Sequence, residues 1–143
     1  MARRGDFFLT TIADESLIVL RDRHGELRAF FNVCRHRGTR LCEAATGHLS
    51  ETIQCPYHAW TWTTDGRLIG APHMQEAEWL RQSASHPLHQ AGIVEWEGFV
   101  FVNLAVEPVP FAEAFAPMIG RLARFGLERL VTGHAIRYEV ASN

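Results

Sequence analysis

The sequence predicts a mainly β fold, a small antiparallel β architecture followed by one helix and a last strand. Short apolar or alternating segments are separated by turns that contain glycine, a pattern typical of antiparallel strands. Two clusters of cysteine and histidine each follow such a segment closely. The clearest helical periodicity occurs near the carboxyl end, after a Pro-rich change in composition at residues 107–110.

The predicted strands follow one another at short intervals. They are expected at residues 7–12, 16–21, 27–32, 52–54, 59–63, 88–96 and 99–104. Gly-bearing turns at residues 22–26, 64–67 and 97–98 separate several of them. The two Cys/His-rich segments, at residues 34–36 and 55–58, would therefore project as loops from hairpins.

Three further segments depart from this pattern. Residues 74–83 predict a short helix with Trp79 and Leu80 facing inward. Apolar residues recur at helical spacing from Phe111 to Phe125, which predicts an amphipathic helix over that segment. Residues 134–140 then predict a strand, which has no partner after it in the sequence.

Length and charge restrict the class of protein. A chain of 143 residues is expected to form one ordinary domain, and a net charge of −2 gives no reason to expect nucleic acid or an anionic membrane as a partner. There is no apolar segment near 18 residues in length, so no membrane span is expected. Arg3-Arg4 is a weak twin-arginine pattern, but Asp6 interrupts the apolar stretch that follows it. We therefore expect a cytoplasmic protein.

The chemistry of the chain is concentrated in four residues. Cys34-x-His36 is followed by eighteen intervening residues and then by Cys55-x-x-His58. Two thiolates and two imidazoles from two loops suit a [2Fe–2S] cluster in which the cysteines bind one iron and the histidines the other. A structural zinc site is the alternative, although zinc sites more often use a Cys pair followed by a His pair.

These motifs and their flanks resemble the N-terminal Rieske domain of the alpha subunit of Rieske non-haem iron oxygenases. The similar segments are residues 32–38, 55–60, 65–68, 70–72 and 96–104, and the resemblance extends from about Gly5 to the last residue. It implies a Rieske-type β-sandwich over residues 1–108, with cluster-binding loops at about 33–42 and 54–60. Residues 109–143 would be the linker helix and first strand leading towards a catalytic domain absent from this sequence.

The resemblance also implies a function. A reductase or ferredoxin would supply electrons, and the [2Fe–2S] cluster on Cys34, His36, Cys55 and His58 would pass them to a mononuclear Fe(II). That iron is expected only in the missing domain of the same or a neighbouring subunit of a homo-oligomer, where O₂ would hydroxylate an aromatic or quaternary amine substrate. On this interpretation the chain is an oxygenase component without catalytic residues of its own.

Two other functions remain as alternatives. A free-standing Rieske ferredoxin would use the same four ligands, but it has no need of the helix and strand predicted after residue 110. A zinc-stabilised binding module would have no redox role, and the metal content separates it from the other two.

Residues near the motifs give further expectations. Thr39 and Tyr57 stand where respiratory Rieske proteins have disulfide-bonded cysteines, and Trp60 stands where they have a serine that donates to the cluster. The resemblance therefore implies a potential near −150 mV, about the lower end of the Rieske range. Cys42 is expected to be a buried filler.

Basic and histidine residues outside the motifs are also candidates for function. Arg35, Arg37 and Arg40 form a basic collar around His36, which is either a solvated surface or a group of charges that favours reduction. The remaining histidines are expected to lie at the surface or in turns rather than to bind iron. They are His24, His48, His73, His86, His89 and His134.

Overall fold

The chain forms two antiparallel β-sheets, as the alternation of short strands and turns predicts. A computed structural model describes residues 3–72, 74, 86–131, 133–136 and 138–140. The strands are β1 (Asp6–Ile12), β2 (Glu15–Arg21), β3 (Leu27–Phe31), β4 (Thr46–His48), β5 (Thr52–Gln54), β6 (Thr61–Thr63), β7 (Leu68–Gly70), β8 (Gln90–Trp96) and β9 (Phe99–Asn103). One sheet has the order β4-β1-β2-β3-β8-β9, and the other has the order β5-β6-β7. The mainly β, antiparallel fold class is confirmed.

Both faces of the central strand β2 are buried, which explains why its sequence is an unbroken apolar run. Ile18 and Leu20 belong to the core that contains the two buried tryptophans, Trp60 and Trp62. Leu17 and Val19 point to the opposite face, where Ala29 and Ala91 pack against them. Burial of one such side chain contributes about 1.5–3 kcal/mol to folding, so β2 is a main source of the domain's stability.

A buried aspartate organises the turn between β2 and β3. Asp22 is fully buried, and its Oδ1 accepts hydrogen bonds from the backbone N–H groups of His24 and Glu26 at 2.8 and 2.9 Å. The Arg28 Nε–H donates to Asp22 Oδ2 at 3.0 Å. This arrangement satisfies the donors of a tight turn that lacks strand partners.

The same turn connects the two sheets. The backbone N–H of Arg23 donates to Thr64 Oγ1 at 3.0 Å, and the Arg23 guanidinium pairs with Asp65 at 3.2 Å. Thr64 and Asp65 lie between β6 and β7, so these contacts join the turn of the larger sheet to that of the smaller one. The two Cys/His loops are therefore carried by sheets that are fixed to each other.

Two short strands, β4 and β7, are present where no strand was predicted. β4 and β7 each contain three residues and include glycine, so they lack the alternation that identifies longer strands. At β4 the small residue is required, because a Cβ on Gly47 would lie 2.6 Å from Phe7 Cε1. Packing against β1 therefore selects glycine at a position where glycine suggests a loop.

The segment after β9 is less regular than predicted. Helix α1 spans only Phe111–Ala114 of the helix predicted for residues 111–125. Turns follow it, and two short 3₁₀ helices then span Ala123–Phe125 and Leu127–Arg129. Pro117 cannot donate an N–H to a continuing helix, and Gly120 has a φ of +82°, which is outside the helical region. Phe111 and Phe115 still pack on the ring of Trp96, so the apolar periodicity reflects packing on β8 and β9.

The predicted helix at 74–83 and the predicted strand at 134–140 have different outcomes. The described residues 134–136 and 138–140 form no strand, and a strand there would need a neighbour to satisfy its backbone groups. The predicted helix at 74–83 falls outside the described residues, apart from Met74. The division of the chain at residue 108 stays a prediction. Within the described part of the chain, none of the helices has the length and apolar character needed to cross a bilayer.

Candidate metal centre

The first Cys/His loop follows directly from β3, and the side chain of Asn32 closes it. Asn32 is 5 % exposed, and its Oδ1 accepts hydrogen bonds from the N–H groups of Leu41 and Cys42 at 3.0 and 2.9 Å. Its Nδ2 donates to the Cys42 carbonyl at 2.7 Å. One amide side chain thus holds the two ends of the loop together. This role of Asn32 was not predicted from the sequence, where the only sign of it is an Asn two residues before Cys34.

Within this loop the backbone curls around the cysteine. The Gly38 N–H donates to the Cys34 carbonyl at 2.9 Å, and the Cys34 N–H donates to the Thr39 carbonyl at 2.7 Å. Gly38 has a φ of +73°, a conformation that glycine adopts without steric cost. The turn directs the side chains of Cys34 and His36 to the same end of the domain as the second loop.

The second loop lies between β5 and β6 and repeats this backbone pattern. The Ala59 N–H donates to the Cys55 carbonyl at 3.0 Å, and the Cys55 N–H donates to the Trp60 carbonyl at 2.8 Å. Ala59 has a φ of +55°, so a residue with a Cβ adopts the left-handed conformation that Gly38 adopts in the first loop. The loops are equivalent in construction, as their similar sequence motifs predict.

The four predicted ligands are brought together at the tips of the two loops. Cys34 and Cys55 are 3 % and 2 % exposed. Burial raises the pKa of the Cys34 thiol, and the adjacent Cys55 thiol raises that pKa further. The imidazole centroids of His36 and His58 are 4.9 Å apart, with an angle of 64° between the rings. Burial, the nearby His58 ring and Arg37 lower the pKa of His36, which favours the neutral imidazole that a metal requires.

An unsatisfied nitrogen tests whether these residues suit a metal cluster. The Nδ1 atom of His58 is buried and has no hydrogen-bond partner in the described structure. A buried ring nitrogen without a partner is costly, and a metal bond uses the lone pair that is otherwise unsatisfied. The two buried thiols of the same loops complete the donor set, so the residues fit a [2Fe–2S] cluster.

The four candidate ligands are grouped as two pairs, which distinguishes a two-iron cluster from a site for one metal ion. Among the described residues, no three His, Cys, Asp or Glu side chains are arranged as ligands of a single metal ion. A two-iron cluster needs only two protein ligands for each iron, since sulfides complete the coordination. The pairing of Cys34 with Cys55 and of His36 with His58 agrees with that requirement.

Two aromatic side chains contact the histidines in different ways. The indole of Trp60, which is 1 % exposed, lies parallel to the His36 ring, with a 4.8 Å separation between centroids and an angle of 1°. Tyr57 is 59 % exposed and packs on the His58 ring with centroids 3.7 Å apart. One imidazole is therefore supported by the core, whereas the other lies beneath a surface residue.

The basic collar divides into one bound and two free side chains. The Arg35 guanidinium contacts both ring nitrogens of His89, and burial followed by the charge of Arg35 lowers the pKa of that histidine. This contact joins the first loop to the start of β8 and was not foreseen. Arg37 and Arg40 are exposed and make no ion pair with any described residue.

The other histidines have local contacts. His24 lies 3.7 Å from the Asp65 carboxylate, and His48 lies 3.0 Å from that of Asp6. The carbonyl of His86 accepts a hydrogen bond from Trp62 Nε1 at 2.9 Å. His134 is exposed, and His73 lies outside the described residues. Cys42 is partly buried, and burial raises its pKa, as expected for a filler thiol.

Comparison with known proteins identifies the family. Residues 1–92 match the family described as the Rieske [2Fe–2S] domain. The fold and the paired Cys/His loops define an iron–sulfur electron-transfer domain. The chain belongs to the Rieske [2Fe–2S] domain family, which confirms the resemblance seen in the sequence and the identity of the cofactor.

Its relatives are oxygenase subunits. The chain is 35 % identical over 127 residues to the glycine betaine monooxygenase oxygenase subunit of Chromohalobacter salexigens, covering 89 % of this chain and 28 % of that protein. It is 36 % identical over 102 residues to the biphenyl 2,3-dioxygenase subunit alpha of Rhodococcus jostii, covering 71 % of this chain and 22 % of that protein.

A solved structure agrees with these relatives. A quaternary ammonium Rieske monooxygenase, described in terms of carnitine oxidation by gut microbiota and inter-subunit electron transfer, superposes with a TM-score of 0.77. The sequence identity is 30 %, and the match covers 87 % of this chain and 33 % of that one. The chain therefore spans about a quarter of the curated relatives and a third of this structure, and it corresponds to their N-terminal Rieske part.

Proposed function

We propose that Cys34, His36, Cys55 and His58 bind the [2Fe–2S] cluster and that this domain relays electrons within a Rieske oxygenase. The observation that carries the proposal is the buried Nδ1 atom of His58, which has no hydrogen-bond partner in the described structure. Its ring lies beside that of His36, and the same two loops carry two buried thiols. A ligand role explains at once the unpaired nitrogen and the burial of two thiols.

Each part of the site has a separate task. Cys34 and Cys55 bind one iron as thiolates, and His36 and His58 bind the other as neutral imidazoles. When bound, the cluster supplies a carrier that accepts and returns one electron at moderate potential. The buried Trp60 and Trp62 exclude water from the protein side of the site. The histidines lie at the partly exposed tip, where a ring nitrogen can meet a partner.

The relatives support a proposal for the wider reaction. The electron donor is a reductase or a ferredoxin, and the acceptor is a mononuclear iron held by two His and one carboxylate in a catalytic domain. Transfer takes place within a subunit or between neighbouring subunits of a homo-oligomer, in the cytoplasm. The relatives that act on glycine betaine, biphenyl and carnitine support a small quaternary ammonium or aromatic compound as the substrate.

The free-standing ferredoxin is the weaker candidate. It would use the same four ligands, so the geometry of the site does not separate it from an oxygenase domain. The oxygenase is favoured because the matched relatives are oxygenase subunits. The reading frame beyond residue 143 tests this choice. A continuing frame with a two-His, one-carboxylate set supports the oxygenase, and a stop codon contradicts it.

Substitution of single ligands tests the cluster assignment. We expect Cys34→Ser, Cys55→Ser, His36→Ala and His58→Ala each to abolish the visible and electron paramagnetic resonance (EPR) signals of the Rieske cluster in the purified chain. Cys42→Ser is the matched control, because it removes a partly buried thiol close to the first loop and should leave the signals unchanged. Loss of the signals in the control, or their persistence in a ligand variant, would contradict the assignment.

A further inference from the structure

Trp60 connects the two ligand loops through two different parts of the residue. Its carbonyl accepts the Cys55 N–H at 2.8 Å, which fixes its backbone in the second loop. Its indole lies parallel to the ring of His36, a residue of the first loop, at 4.8 Å between centroids. Trp60 thus links the core around the smaller sheet to His36, which lies in the loop that follows β3 of the larger sheet.

The indole itself has little freedom to move. Trp60 is 1 % exposed and packs against Trp62, whose ring centroid lies 6.1 Å away at an angle of 46°. Trp62 is fully buried and is held in turn by the hydrogen bond from its Nε1 to the His86 carbonyl. The plane against which the His36 ring rests is therefore set by the core.

We propose that Trp60 is a positioning residue that fixes the ring plane of His36 and thereby sets the redox and spectroscopic properties of the cluster. This inference rests on the proposed function, because it assumes that His36 is a ligand. Rotation of an imidazole about its Cβ–Cγ bond is only weakly restricted, so a ligand ring needs an outside contact to hold one orientation. In many metal sites a hydrogen bond provides that contact, whereas here an aromatic face does so.

The contact also has an electrostatic consequence. The face of an indole carries partial negative charge and stabilises positive charge on a ring stacked against it. Trp60 therefore favours the oxidised centre, in which the histidine-bound iron is more positive. It also excludes water, which would stabilise the more negative reduced centre. Both effects lower the midpoint potential, so removal of the indole should raise it.

The test compares two buried tryptophans of the same sheet. Trp60→Leu removes the stacked ring. Trp62→Leu removes the same volume at a position whose ring, within the described structure, packs on Trp60 and not on His36 or His58. Trp60→Phe keeps an aromatic face and serves as the conservative variant. The readouts are the midpoint potential and the EPR g-values of the reduced protein, which a merely structural role would leave unchanged.

We expect Trp60→Leu to have a higher potential and altered g-values. Trp62→Leu should change both less, because it loosens the packing of the stacked indole but leaves the indole in place. Trp60→Phe should restore most of the difference. Failure of cluster assembly in Trp60→Leu alone would agree with the proposal, because the two Leu variants lose equal volume. Wild-type values in Trp60→Leu, or equal changes in both Leu variants, would overturn it. Absence of a Rieske signal in the wild type would instead refute the proposed function.

Discussion

Gly38 and Ala59 occupy equivalent positions in the two ligand loops. Each lies four residues after a cysteine, donates its N–H to the carbonyl of that cysteine, and has a positive φ, +73° for Gly38 and +55° for Ala59. Only the first loop has glycine at this position. The second loop forms the same turn with a residue for which the left-handed conformation costs about 1 kcal/mol.

Exchange of these residues should therefore have opposite effects on stability. Gly38→Ala is expected to lower the free energy of unfolding by about 1 kcal/mol, because the strain is in the backbone. The added Cβ would meet nothing closer than Val33 Cγ2 at 4.0 Å, so there is no clash. Ala59→Gly should raise the free energy of unfolding by less than about 1 kcal/mol, since relief of strain exceeds the gain in unfolded-state entropy. Urea unfolding of the purified protein measures both, and changes of the same sign would contradict the equivalence.

Replacement of Asp22 should be strongly destabilising. In Asp22→Asn the remaining oxygen can accept the two turn N–H groups, but the new amide would face the Arg28 Nε–H with a donor. A buried hydrogen bond to a charged group would be lost, at a cost of about 2–3 kcal/mol. Denaturant unfolding measures this cost. Asp6→Asn is the control, because Asp6 pairs with His48 at the surface, and an equal loss in the control would count against the assigned role.

The contribution of Asp22 should also depend on pH. Burial raises its pKa, but hydrogen bonds from Arg28, Glu26 and His24 outweigh burial, and the pKa lies below its ordinary value of 3.8. The folded state therefore binds this proton less readily than the unfolded state, so the stabilisation is present above pH 3.8 and is lost as the pH falls through the lowered pKa. The stability difference between wild type and Asp22→Asn should be constant near neutral pH and shrink below pH 3.8. A difference that persists in strong acid would contradict this.

The free arginines of the collar should affect the potential of the cluster. Arg37 is exposed and has no ion-pair partner among the described residues, so its charge is available to stabilise the reduced centre. Arg37→Gln should lower the midpoint potential by tens of millivolts at low salt, and the shift should decrease as salt screens the charge. Arg121→Gln, which changes an exposed arginine in the segment after β9, is the control. If Arg37→Gln keeps the wild-type potential as Arg121→Gln does, Arg37 is only part of a solvated surface.

Sequence patterns predicted the features that depend on local chemistry. The apolar run in β2, the turns at residues 22–26 and 64–67, and the paired Cys/His motifs each have a signature within a few residues. The four proposed ligands could be selected for this reason, because a metal cluster restricts both residue type and spacing.

Features that depend on contacts between distant segments were not visible in the same way. Arg35 contacts His89, which lies 54 residues further along the chain. Gly47 lies so close to the Phe7 ring that a larger residue would not fit. The helix predicted over residues 111–125 reflects apolar residues that pack on β8 and β9, whereas Pro117 and Gly120 prevent a continuous helix. Periodicity records which side chains are buried and does not by itself fix the backbone.

The most direct test of the central claim is to measure iron, acid-labile sulfide and zinc in the purified chain, together with the EPR spectrum after reduction. A cluster on these four residues requires two irons and two sulfides per chain, negligible zinc, and the spectrum of a cluster with two histidine ligands. Colourless protein that contains zinc and no sulfide, or an all-cysteine type of spectrum, would contradict it.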